Sequence, residues 1–173
     1  LTPREFAKLA IKHGTSQCVS DPHEIANVLG ADGVKFMIDD ALQSELKILF
    51  GVPSCVPATQ HETSGAEIYS STVAAMLDWK GTGFLSEVMD FPGVINRDRE
   101  IVRKINAAKK RGMVVDGHAP GLRGPDLDRY IEAGISTDHE CSSLSEAVEK
   151  IDKGMKILIR EGSAAKNLEA LYS

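Results

Sequence analysis

Short apolar runs alternate with amphipathic helical stretches along the whole chain, and this alternation restricts the fold more than any other feature. The runs are Thr15–Val19, Leu46–Val52, Gly83–Val88, Met113–Asp116, Ile135–Asp138 and Met155–Ile159. Each is short and mostly apolar, as a strand covered on both faces must be. Between them, apolar residues recur at helical spacing. Phe6, Leu9, Ala10 and His13 share a face of a helix that Thr2 caps, Pro3 begins and Gly14 ends. A second stretch runs through Ile25, Ala26 and Leu29 and, after Gly30, through Val34, Met37 and Ile38. Further helices are predicted around Val73–Leu77, over Asp98–Arg111, over Asp126–Ala133 closed by Gly134, over Leu144–Ile151 closed by Gly154, and over Ser163–Leu171.

Strands and helices in strict alternation imply a parallel sheet with helices packed outside it. An open doubly wound sheet and a (β/α)8 barrel both satisfy the pattern. No GxGxxG or GxxxxGK[ST] follows any strand, which counts against a nucleotide-binding open sheet. Six strands and seven helices, starting and ending on a helix, leave a (β/α)8 barrel one strand short at each end. The expectation is therefore an α/β chain in which residues 1–173 form one partial barrel domain, strands two to seven with their helices. Both ends read as cut from something longer, with no methionine before Thr2 and a final helix that stops abruptly. The stretch Pro53–Ser71 is too long for a routine connection and reads as a functional loop.

A net charge of −5 argues against nucleic-acid binding, which needs a basic face to displace counterions. No apolar run approaches the roughly 20 residues of a membrane span, and Leu1-Thr2-Pro3-Arg4-Glu5 is no signal peptide. Cys18, Cys55 and Cys141 are widely spaced and odd in number, which suits a reducing cytoplasm and buried thiols.

Polar residues gather directly after the strands: Asp21 and His23-Glu24; Ser54; Glu87 and Asp90; Asp116 and His118; Asp138, His139 and Glu140; Arg160-Glu161. In a barrel these positions share the C-terminal rim, where active sites are built. Any one of them could be a helix cap or a solvated loop residue. Capping does not call for histidine after so many strands, however, and His23, His61, His118 and His139 all lie in loops or at strand ends. His13 lies within a helix and reads as structural. Imidazole and carboxylate donors on neighbouring strands suit manganese, iron or zinc. His118 and His139 would supply neutral nitrogens, and Glu87 an oxygen able to bridge two ions.

Several longer segments resemble the bacterial and archaeal adenine deaminases of the amidohydrolase superfamily. They are Asp21-Pro22-His23-Glu24-Ile25-Ala26-Asn27-Val28, Pro53-Ser54-Cys55-Val56-Pro57-Ala58-Thr59 and Glu62-Thr63-Ser64-Gly65-Ala66. Asp116-Gly117-His118-Ala119-Pro120-Gly121, Asp138-His139-Glu140-Cys141 and Arg160-Glu161-Gly162-Ser163-Ala164-Ala165-Lys166-Asn167 complete the set. The resemblance covers the whole chain in order. It implies a (β/α)8 barrel with a binuclear divalent metal centre that hydrolyses adenine to hypoxanthine and ammonia in purine salvage. Glu87, within Ser86-Glu87-Val88-Met89-Asp90, matches the bridging ligand after the fourth strand, and His118 and His139 match the histidines of the fifth and sixth. These three are the implied metal and catalytic residues. His23 and Glu24 would shape the purine pocket or the outer metal environment, with Ser54, Asp116, Glu140 and Glu161 in the same supporting positions.

His61 before Glu62, and Val88 where methionine is common, depart from the pattern without touching the implied ligands. A larger departure is that the family's His-x-His pair would precede Leu1 and its metal-binding aspartate would follow Ser173. Its small flanking β-domain would likewise lie outside these residues. The residues of this chain alone are therefore expected to hold metal only partially and to be inactive. The H-x-E and P-C-x-x-C signature of zinc deaminases that flip bases does not occur. Two alternatives stand beside this reading: another amidohydrolase acting on a cyclic amide, or a barrel piece without chemistry. The glutamate after the fourth strand counts against the first, where a carboxylated lysine is expected. Unpaired edges on such a sheet predict self-association.

Overall fold

In a computed structural model, which describes residues 1–59 and 61–172, six strands pair side by side in chain order. They are β1 (Gln17–Ser20), β2 (Lys47–Pro53), β3 (Thr82–Val88), β4 (Val114–Gly117), β5 (Thr137–Asp138) and β6 (Lys156–Ile157). All five pairings are parallel, with Cys18 opposite Ile48, Leu85 opposite Val115 and Asp138 opposite Ile157. A doubly wound sheet would reverse its strand order at a switch point. This one never does, and the result is a curled, incomplete (β/α)8-type barrel.

The helices are α1 (Pro3–Ala10), continued by a 3-10 turn at Ile11–His13, α2 (His23–Leu29), α3 (Ala31–Ala41) and α4 (Ser70–Met76). They continue with α5 (Phe91–Ile95), α6 (Arg99–Lys109), α7 (Gly124–Glu132), α8 (Leu144–Asp152) and α9 (Leu168–Leu171). Among the described residues none is long and apolar enough to cross a membrane. Gly14 takes a left-handed φ of 86° and closes the first helical segment, as the sequence predicts.

The core lies between helices and sheet. Val34 and Ile38 of α3, Ile101, Ile105 and Ala108 of α6 and Leu127 of α7 pack with Phe50, Val52, Leu85 and Val115 of the strands. Alternate strand residues Val19, Leu49 and Val114 are exposed by 67%, 44% and 51%. Burial on both faces therefore fails outside the C-terminal halves of β2 and β3.

Three local expectations need correcting. The strands at 15–19, 135–138 and 155–159 are shorter than predicted, because Ile135 and Met155 are buried in the approach to the sheet rather than in its ladder. Ser163–Leu171 is helical only at Leu168–Leu171. Residues before it form an antiparallel bridge between Glu161 and Lys166, and Asn167 Nδ2 donates to Cys141 O at 2.7 Å. Polar side chains that find backbone partners elsewhere compete with helix. Helix α5 was not predicted, although its signal is local: Asp90 caps it by accepting from Gly93 N at 2.9 Å, and Pro92 follows in the first turn.

The long loop after β2 is irregular but well packed. Gly65 N and Ala66 N donate to Asn27 O of α2 at 2.8 and 3.2 Å, and Cys55, Val56 and Ile68 are buried. A side chain at Gly65 would sit 2.7 Å from Val28 O, so glycine permits this docking. Cys55 and Cys141 are buried as expected, whereas Cys18 is only half-buried.

Candidate metal centre

Because every strand is parallel, the strand ends and the loops after them converge on one rim. Glu87 comes from the end of β3, His118 and His139 directly follow β4 and β5, and Asp21 and His23 follow β1. His139 Nε2 lies 3.3 Å from Glu87 Oε1, and His118 Nδ1 lies 3.8 Å from Glu87 Oε2. On the other side His23 Nδ1 is 3.7 Å from Glu87 Oε2 and donates to Asp21 Oδ2 at 3.0 Å. The His118 and His139 rings meet edge to face, their centroids 5.4 Å apart.

Glu87 is therefore shared by two groups of donors, Glu87–His118–His139 and Asp21–His23–Glu87, each with its donor atoms within 4.8 Å of one another. Among the described residues, four buried side-chain atoms have no hydrogen-bond partner: Asp21 Oδ1 and His118 Nδ1 in these two groups, Ser86 Oγ next to Glu87, and Arg160 Nε. Leaving a buried polar atom unpaired costs about 1–3 kcal/mol, and an ion held by each group would give Asp21 and His118 a partner of opposite charge or an electron-pair acceptor. Nitrogen and carboxylate donors in this ratio fit a divalent transition ion. Asp138, Cys141 and Glu146 form a third close group, but Lys150 Nζ lies 2.6 Å from both carboxylates and supplies the positive charge.

The local field agrees with this assignment. Asp21 pairing lifts His23 to about 9 against burial, and Asp116 and then Glu87 lift His139 to about 10. Burial works to raise Glu87, yet His139, His23 and His118 outweigh it and hold the carboxyl below its usual range. Burial raises Asp21. An imidazole meets this demand for positive charge by taking a proton, and a metal ion meets it by taking the nitrogen lone pair instead.

The remaining candidates divide by position. Asp116 stands behind His139, its carboxylate 3.8 Å from Nδ1, and its other oxygen accepts from the Thr137 hydroxyl. Ser54 is buried, and its hydroxyl donates to Glu87 O at 2.7 Å. Glu140 Oε1 is 3.7 Å from both His118 Nδ1 and His139 Nε2. The Arg160 guanidinium donates to both Glu140 oxygens, with Nη2 at 3.1 Å from Oε2. Glu24 is exposed, its carboxylate 3.7 Å from His23 Nε2 on the outer margin. Glu161 is also exposed and accepts from Leu168 N at 3.1 Å, apart from the cluster. Asp21 belongs to the cluster; the sequence places it among the polar residues after the first strand but not among the implied ligands, and its signal is the one-residue spacing to His23. Arg160 stands out in sequence only as one more polar residue.

The adenine deaminase of Methanosarcina mazei is 56% identical over 170 residues, 98% of this chain and 31% of that protein. That of Salinibacter ruber is 57% identical over 171 residues, 99% of this chain and 31% of the relative. The Sulfurovum sp. adenine deaminase gives 57% over 171 residues, with 99% and 32% covered. The chain thus spans about a third of the length of the relatives it matches. A model of the amidohydrolase family matches residues 1–165, and with the parallel barrel strands and the rim of imidazoles and carboxylates this places the chain in the amidohydrolase family.

Proposed function

We propose that the protein hydrolyses adenine to hypoxanthine and ammonia in a metal-dependent reaction of cytoplasmic purine salvage, with Glu87, His118 and His139 as metal ligands. The observation that carries this is the position of Glu87 between the two donor groups, with Asp21 Oδ1 and His118 Nδ1 left unpaired beside it. The relatives named adenine deaminase supply the substrate. Since they are about three times longer, the activity is proposed for the full-length protein. Manganese or iron is the proposed pair, with zinc as the alternative, because neutral imidazole and a bridging carboxylate suit all three. When bound, such ions lower the pKa of water enough to supply a nucleophile at neutral pH.

The chain's own residues have separate tasks. Glu87 places one carboxylate oxygen toward His139 and the other toward His118 and His23, so it can link two ions. His118 and His139 would hold an ion through nitrogen, with the Asp116 carboxylate 3.8 Å from His139 Nδ1 on the far side of the ring. Glu140, anchored by Arg160, borders the same space and can accept or return a proton near the substrate. His23 and Asp21 close the opposite side. A neutral purine needs no basic surface, in keeping with the net charge of −5.

The test is a substrate screen on full-length protein loaded with manganese. Adenine is expected to release ammonia and form hypoxanthine, while dihydroorotate and other cyclic amides are not turned over. Preference for a cyclic amide would overturn the assignment.

A further inference from the structure

Below the rim, buried hydrogen bonds run from strand to strand behind the candidate ligands. Lys104 Nζ of α6 donates to Ser54 O at 2.8 Å, and Ser54 Oγ donates to Glu87 O at 2.7 Å. Next in line is Tyr130 of α7, whose side chain is fully buried. Its hydroxyl donates to Val88 O at 2.7 Å and accepts from His118 N at 3.0 Å.

One oxygen atom thus joins the residue after Glu87 to the backbone of His118. The ends of β3 and β4 carry an irregular register here, with Leu85 opposite Val115 but Val88 opposite Gly117. Ladder hydrogen bonds alone leave that gap loosely specified. The phenol closes it from the helix side, bonding Val88 O and His118 N–H with one oxygen. Ring packing and hydroxyl bridging are separable, because phenylalanine keeps the ring in the core cluster that Leu127 and Ile135 share and removes only the oxygen.

We propose that Tyr130 is a positioning residue, whose hydroxyl fixes the spacing between Glu87 and His118 and thereby sets how tightly the rim holds a divalent ion. This rests on the metal-centre reading above. It adds a residue from an outer helix that touches neither ion nor substrate.

Tyr130→Phe in the full-length protein is the test, read in two ways. Hydrogen exchange at the His118 amide, measured without metal, is expected to speed up at least tenfold. Manganese held against a competing chelator is expected to weaken at least fivefold, with kcat lowered and KM for adenine within twofold of wild type. Leu127→Val, on the same helix and equally buried, controls for general loosening and should leave manganese affinity unchanged. Ser54→Ala, which strips the hydrogen bond from the Glu87 carbonyl, should weaken manganese in the same direction as Tyr130→Phe. Unchanged amide exchange overturns the hydroxyl bridge. Unchanged manganese affinity in Tyr130→Phe, or equal loss in Leu127→Val, overturns the positioning role while leaving the metal centre intact. A wild type that takes up no manganese overturns the metal centre and this role together, and the two failures are therefore distinguishable.

Discussion

Glu87 takes a φ of 33°, which a residue with a side chain adopts at a cost of about 1–3 kcal/mol. The Ser54 hydroxyl and the Asp116 carboxylate grip its carbonyl and N–H and hold it there. The fully buried Lys150 works in the same way one layer lower. Its Nζ donates to Ala119 O at 2.8 Å and to Asp138 and Glu146 at 2.6 Å, while Asp138 Oδ1 accepts from Ala119 N at 3.1 Å. Lys150→Met leaves two carboxylates buried without a cation and is expected to destabilise by about 3–5 kcal/mol. The pH dependence follows from the shifts. Burial opposes ionisation of Asp138, but Lys150 outweighs it and lowers the pKa, so this contribution is present at neutral pH and lost as acid titrates through the lowered value. Burial opposes the charge on Lys150, but Asp138 and Glu146 raise its pKa, so its contribution is complete below the usual lysine value and lost only above the raised one. Without the cation, burial raises the Asp138 carboxyl, so the variant recovers part of its loss by taking up a proton as pH falls. Urea midpoints of wild type and Lys150→Met should therefore differ most between neutrality and about pH 10, and the difference should shrink toward acid; a difference that grows toward acid would contradict the pairing. That Glu87, His118 and His139 come together was legible in the sequence because histidine and carboxylate recur at the ends of several apolar runs, more often than capping calls for. Tyr130 and Lys150 were not, since a tyrosine on an apolar helical stripe reads as core and a lysine near a helix end reads as solvated.

At the scale of elements, glycine decides how closely neighbouring strands approach at the site. A Cβ on Gly117 would lie 2.3 Å from Thr137 O and 2.7 Å from Ile135 Cγ2, so the β4–β5 contact beside His118 exists only with glycine there. Gly117→Ala is expected to lower stability by about 2 kcal/mol or more and to lower activity with it. Gly112→Ala meets no atom within 4 Å and carries only the strain of its φ of 66°, about 1 kcal/mol. Thermal unfolding of the two variants separates these effects; equal shifts would show that the close approach at Gly117 is unimportant. The order of elements was legible because hydrophobic period tracks burial. Strand limits were not, because β5 and β6 hold only two ladder residues each, and flanking Ile135 and Met155 are buried without pairing. The loop after β2 was recognisable by length alone, while its docking on α2 through Asn27 O depends on partners distant in sequence.

At the scale of the molecule, sequential parallel strands place every loop that follows a strand on one rim, so a barrel built this way collects its ligands from residues far apart in the chain. The same sheet presents β1 and β6 as its outer strands, with Val19, Leu49, Leu158 and Ile159 exposed. The 173-residue polypeptide is therefore expected to self-associate, and light scattering across a concentration series checks this; a clean monomer throughout would contradict it. The most direct test of the central claim is adenine turnover by full-length protein, wild type against Glu87→Gln, each stripped of metal and reloaded with manganese. Wild type should regain activity in proportion to metal taken up, and Glu87→Gln should bind at least tenfold more weakly and lose most of its turnover. Adenine deamination that persists in the metal-free protein, or survives Glu87→Gln undiminished, would contradict the account.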